Sequence, residues 1–159
     1  MNYAEISSFI EKHWNIIGCS EEFIVIFDKY KKNGKVSMAT CGWNHTTVSF
    51  NPLVFLHRFL VNTSNYNKVS ERFLKGSLLH EIGHSRCRDI VQLGTTVERE
   101  VLAQKWAIEY SFKNDLKDEL NGLLELLDVW ATIGKGTHYL AYEEIMSETE
   151  WARKYGLIT

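Results

Sequence analysis

A chain of 159 residues is long enough to bury a core without metal or disulfide staples, so a bound metal ion here would serve chemistry before folding. With 45% hydrophobic residues, 24% charged residues and one proline, wholesale disorder is excluded. The net charge of -2 provides no broad electrostatic footprint for nucleic acid. The expectation is a single domain over residues 1–159, with no repeat or linker dividing it.

In chain order, Ile6, Phe9, Ile10, His13, Trp14 and Ile17 recur at helical spacing and stop at Gly18, which predicts an amphipathic helix. Glu5, Glu11 and Lys12 interrupt what would have to be the apolar region of a signal peptide. No apolar run is long enough to cross a bilayer. Cys19, Cys41 and Cys87 are an odd number without CxxC spacing, which suits a reducing compartment, and cytoplasm is the expected location.

Phe23 to Tyr30 reads as a strand, and Asn33-Gly34 as a tight hairpin turn. A second strand is expected from Val36 to Trp43. After a turn at Asn44-His45, Thr46 to Phe50 forms a third, giving an antiparallel meander. Asn51-Pro52 offers a cap with proline at the first helical position, and Leu53 to Leu60 continues as a short helix. Val61 to Val69 is polar and turn-rich, a surface loop.

From Ser70 onward the pattern is helical. One helix starts at Glu71 and ends between Arg88 and Gly94. Thr95-Thr96-Val97-Glu98 fits a capping box that opens a second helix through Phe112. Asn114 or Asp115 caps a third, with an apolar stripe from Leu116 to Ile133, and after Gly134-Lys135-Gly136 a last helix covers Tyr142 to Tyr155.

The first of these helices carries Leu78-Leu79-His80-Glu81-Ile82-Gly83-His84. At about 100° per residue, His80 and His84 lie about 40° apart, with Leu74, Leu78 and Ile82 on the opposite side. Two imidazoles one turn apart can reach one zinc ion, and Glu81 can reach the water on it. Roughly one chain in fifty of this length carries HExxH by accident, so the surroundings of the motif decide its meaning. Gly76 and Gly83 share a flank where another backbone can approach closely.

A catalytic zinc needs a third protein ligand. The pattern HExxHxxGxxH fails, because Cys87 stands at the glycine position and Ile90 at the last histidine, and no histidine lies between His84 and His138. A carboxylate from the next helix remains. Glu98 is engaged in the capping box, whereas Glu100 shares a face with Ala103, Gln104, Ala107 and Ser111, small enough to let that helix press against the motif. Glu100 is the expected ligand.

His80 to His84 followed by Glu100, Ala103, Trp106 and Ala107 resembles the gluzincin metallopeptidases, in particular the compact ImmA/IrrE-like group found in phages and mobile elements. The departures are Leu102 where a second glutamate is common, and Gln104 in place of asparagine. The order of sheet, Thr46 to Leu56 segment and motif helix is also similar to SprT-like minimal zincins. The resemblance implies an α+β fold: a small zincin-like domain with a short three-stranded antiparallel sheet, followed by a mostly helical C-terminal half that carries HExxH and the third-ligand helix. It implies Zn2+ on His80, His84 and Glu100, with Glu81 as general base in peptide-bond hydrolysis of a protein or peptide substrate. It implies further that such a substrate lies along an edge strand, here Thr46 to Phe50, and that a His or Tyr near the C-terminus stabilises the transition state, here His138 or Tyr139, with Tyr142 beside them. The rival reading is a zinc-bearing adaptor or inhibitor protein, phage-encoded, without proteolytic turnover. Nothing in the residues names the substrate or the oligomeric state.

Overall fold

The computed structural model describes residues 1–18, 22–28, 39–48, 51–62, 69–86 and 95–159. The chain divides into two compact units, Met1–Glu71 and Arg72–Thr159.

In the first unit, helix α1 (Tyr3–Ile16) opens with a capping box: Asn2 accepts from the Glu5 amide, and Glu5 accepts from the Asn2 amide. Its buried face is Ile6, Phe9, Ile10, His13 and Trp14, the positions that helical spacing selected. Three strands follow, β1 (Glu22–Asp28), β2 (Ala39–Val48) and β3 (Asn51–Asn62). Trp14, Phe23 and Phe59 pack ring against ring, with centroids 5.4 to 6.0 Å apart, and tie α1 to one face of the sheet. Phe59 and Val61, two residues apart and so on one face of β3, are fully buried.

The sheet is not the expected antiparallel meander. Its order is β1-β3-β2, with β3 in the middle, parallel to β1 and antiparallel to β2. The protein as a whole is mostly helical, so the expected fold of a three-stranded antiparallel sheet leading into a helical half is overturned. The error lies in Leu53 to Leu60. LVFLHRFL is a continuous apolar run of strand length, which periodicity cannot distinguish from a short buried helix. Central strands are apolar on both faces, and that is where the run belongs. Pro52 does not obstruct it: β1 pairs only from Leu56 onward, so the start of β3 has one partner strand and tolerates a missing N–H. The turn expected at Asn33-Gly34 lies outside the described residues, as do Cys19, Cys87 and the end expected for the motif helix.

The second unit is helical: α2 (Glu71–Arg86), α3 (Thr96–Lys113), α4 (Lys117–Ile133), α5 (Gly136–Ser147) and α6 (Thr149–Lys154). α3 begins with the capping box read from the sequence, Thr95 and Glu98 each bonding the other's amide. α4 begins differently from expectation. Asn114 closes α3 by donating to the Tyr110 carbonyl, Asp115 turns the chain at φ 53°, and Leu116 precedes α4 without a side-chain cap. The expected last helix is two, and it starts earlier, so His138 and Tyr139 lie in the first turns of α5 instead of in a loop.

α2 is packed through its glycines. A Cβ on Gly76 would run into the backbone of Gly122 and Leu123 on α4, and one on Gly83 would stand 2.5 Å from the Ala103 carbonyl oxygen on α3. Two neighbouring helices therefore approach α2 at backbone distance. Along α2, Leu74, Leu78, Leu79 and Ile82 are buried, and so are Ser77, His80 and Ser85.

Candidate metal centre

His80 and His84 stand one turn apart on α2, and Gly83 between them lets α3 come close enough for Glu100, in its second turn, to reach both. Glu100 Oε2 lies 3.0 Å from His80 Nε2 and 3.3 Å from His84 Nε2, and the two imidazole nitrogens are 3.1 Å apart. Bonds of 2.0–2.1 Å about a tetrahedral ion place neighbouring donor atoms about 3.3 Å apart. The observed triangle has edges of that size. Among the described residues this is the one group of three or more His, Cys, Asp or Glu side chains whose donor atoms all lie within 4.8 Å of one another.

The protonation of the site follows from Gln104, a fully buried residue one turn after Glu100. Its Nε2 donates to the Leu123 carbonyl on α4 at 3.0 Å, and a carbonyl can only accept. Oε1 therefore faces His80 Nδ1, 2.8 Å away, and must accept from it. A neutral His80 then carries its proton on Nδ1 and turns the lone pair of Nε2 toward Glu100. A lone pair facing a carboxylate oxygen at 3.0 Å, with a second imidazole nitrogen beside both, is relieved by a hydrogen shared from that imidazole or by a metal ion among the three.

The electrostatics have the same sense. Burial alone would push the Glu100 carboxyl up, but the three imidazoles around it, His138, His80 and His84, outweigh it and hold the group well below the usual carboxylate range. Burial alone would lower His84, yet its bond to Glu100 and the negative charges of Glu81 and Glu100 raise it. The chemistry of two nitrogens and one anionic oxygen fits a borderline metal such as zinc, as it also fits other divalent first-row ions.

The remaining predicted residues divide. Glu81 follows His80 directly on α2, half-buried, with its charge felt at His84. His138 reaches the site: its Nε2 is 3.4 Å from Glu100 Oε2. Tyr139 does not; it is partly buried on α5 and donates to Glu143 at 2.9 Å. Tyr142 lines a separate pocket with Leu124, Leu127, Asp128 and Met146. Thr46 to Val48 end β2, an outer strand of the first unit, and Phe50 lies outside the described residues.

Trp130 is the residue that sequence reasoning missed. Buried on α4, it meets His80 edge-on, with ring centroids 5.3 Å apart, and His138 at 4.9 Å, so one indole backs two of the site's imidazoles. Its place on the apolar stripe marked it as core, and nothing in the pattern distinguished it from Leu123 or Leu127.

Comparison with protein-family models, with curated proteins and with solved structures finds no match. Among the described residues, no helix is long and apolar enough to cross a membrane.

Proposed function

We propose that this protein is a cytoplasmic zinc-dependent peptidase that hydrolyses peptide bonds of a protein or peptide substrate. The observation that carries the reading is the convergence of His80 Nε2, His84 Nε2 and Glu100 Oε2 at coordination spacing, beside a glutamate that directly follows the first histidine. Zinc held there would supply Lewis acidity and lower the pKa of water toward about 7.

The chain's own residues do the rest. His80 and His84 act as neutral nitrogen donors, and Gln104 keeps the first of them in the Nδ1–H tautomer by accepting its proton's hydrogen bond. Glu100 contributes the negative charge that offsets the cation. Glu81 takes a proton from the attacking water as it adds to the scissile carbonyl, then passes that proton to the leaving amine. Trp130 and the apolar residues of α2 exclude bulk water from behind the imidazoles, which strengthens each charge interaction at the site.

Glu81→Gln separates this reading from that of a metal-bearing adaptor. The variant is expected to keep one equivalent of metal while peptide-library cleavage falls about 10²–10⁴-fold. Equal cleavage by variant and wild type would remove Glu81 from the mechanism, and metal retention with no cleavage by the wild type would favour the adaptor.

A further inference from the structure

One face of α5 joins the metal centre to a cavity. His138, Tyr142 and Met146 follow one another at four-residue spacing, so they share that face, with about 6 Å of helix rise from each to the next. His138 meets Glu100, whereas Tyr142 and Met146 line a cavity of about 290 Å³. α4 repeats the arrangement: Trp130 packs on His80 and His138, and Leu127, three residues before it, lines the same cavity. On both helices the cavity therefore begins within about one turn of side chains that touch the metal-binding trio.

We propose that this cavity is the specificity pocket for a lysine or arginine side chain of the peptide substrate. The proposal rests on the peptidase reading above and names the class of substrate that this reading leaves open.

The lining is apolar with one anion. Leu127 is buried, Leu124, Met146, Leu157 and Tyr142 are half-buried, and Asp128 is exposed. A long aliphatic stem that ends in a cation matches this gradient: its methylene groups cover leucine and methionine while the charged end stays at the solvated carboxylate. No lysine, arginine or histidine lines the cavity to offset that charge. Asp118 and Glu125, on the same helix, are paired with Lys75 and Arg72, whereas Asp128 has no cationic partner among the described residues. The volume stands at the lower limit of sites for drug-sized ligands and suits a single side chain.

The wall that Leu157 forms is fixed by the end of α6. Gly156 takes a left-handed φ of 77°, its amide donates to the Arg153 carbonyl at 3.2 Å, and the Leu157 amide donates to the Ala152 carbonyl at 2.8 Å. This paired cap folds the chain back over its own last turn, and Ala152 beneath it is fully buried. The rise of about 6 Å from His138 to Tyr142 equals about two residues of extended peptide. The basic residue is therefore expected about two or three positions from the scissile bond.

Peptides that carry lysine, norleucine or glutamate at each position in turn test the pocket, with two separate readouts: cleavage by the zinc-loaded wild type, and binding to zinc-loaded E81Q by fluorescence anisotropy. At one position lysine is expected to exceed norleucine, which has the stem without the charge, by about two- to fivefold, and glutamate to fall below both. Placed in the E81Q chain, D128N is expected to lose the difference between lysine and norleucine, and D128K to favour glutamate over lysine. Asp128 is exposed, so neither substitution disturbs the core. Lysine and norleucine treated alike, or a lysine preference that survives in D128N, would overturn the pocket while cleavage by the wild type leaves the peptidase reading intact. Asp128-dependent binding of lysine peptides without cleavage by the wild type would overturn the peptidase reading and support the pocket as a site for basic peptides. Neither binding nor cleavage would overturn both.

Discussion

Gln104→Leu tests the chemistry of the centre without touching a ligand. In the wild type, Gln104 accepts from His80 Nδ1 at 2.8 Å and donates to the Leu123 carbonyl at 3.0 Å, in a fully buried position. Leucine preserves most of the volume and removes both bonds. His80 is 4% exposed, so its Nδ1–H would be left without an acceptor in a place water does not reach, at a cost of about 1–3 kcal/mol. The imidazole can evade part of that cost by moving the proton to Nε2 or by rotating, and either response removes the lone pair that faces Glu100. Metal affinity should then fall about 10–100-fold, equivalent to about 1.4–2.7 kcal/mol. The assay is competition for Zn2+ against a chromophoric chelator, run beside urea unfolding of the metal-free protein. Gln104→Glu is the companion: its carboxylate still accepts from Nδ1 but cannot donate to Leu123, so it should recover more metal affinity than stability. A Kd for Gln104→Leu equal to that of the wild type would refute the tautomer argument.

Two further outcomes follow from packing and from burial. In Gly83→Ala the new Cβ would stand 2.5 Å from the Ala103 carbonyl oxygen, so α3 must retreat and carry Glu100 from the histidines; about 1–3 kcal/mol of stability and a measurable part of the metal affinity should go together. Thermal unfolding with and without Zn2+ reads both, and an unchanged melting temperature would show that the helices are not in backbone contact. His13, 1% exposed on α1, is held down at about 4 by burial and, secondarily, by the charge of Lys12, against about 6.5 in an unfolded chain. Because the folded value is the lower one, its contribution is complete above about pH 6.5 and is lost as pH falls toward about 4, up to about 3 kcal/mol. Urea unfolding between pH 7 and pH 4 should be less steep in His13→Gln than in the wild type, and parallel curves would mean that His13 is not buried neutral.

The parts of this protein legible in its sequence are those governed by local chemistry. The capping box at Thr95 and Glu98 satisfies amides within four residues, so it could be read directly and it freed Glu100 for another role. The four-residue spacing of His80 and His84 places both imidazoles on one face of any α-helix, whatever that helix packs against. Gly83 and Ala103 advertised a close approach through their size alone, and the approach occurs.

The sheet order, the neighbours of the histidines and the environment of Gln104 were decided only in three dimensions. LVFLHRFL is apolar enough for a buried strand or a buried helix, and pairing with β1 on one side and β2 on the other selects the strand. Trp130 belongs to the site because α4 crosses α2 at Gly76 and Gly122, a contact between residues 46 positions apart that no local pattern encodes. Likewise Gln104, a departure from the asparagine that the resemblance implied, reaches His80 and the Leu123 carbonyl at once. The sequence by itself determined which donor atoms could meet a metal ion, since their types and helical spacing are local properties. The tertiary structure decided which of them do meet, and at what distance, because those quantities depend on backbones brought together from distant parts of the chain.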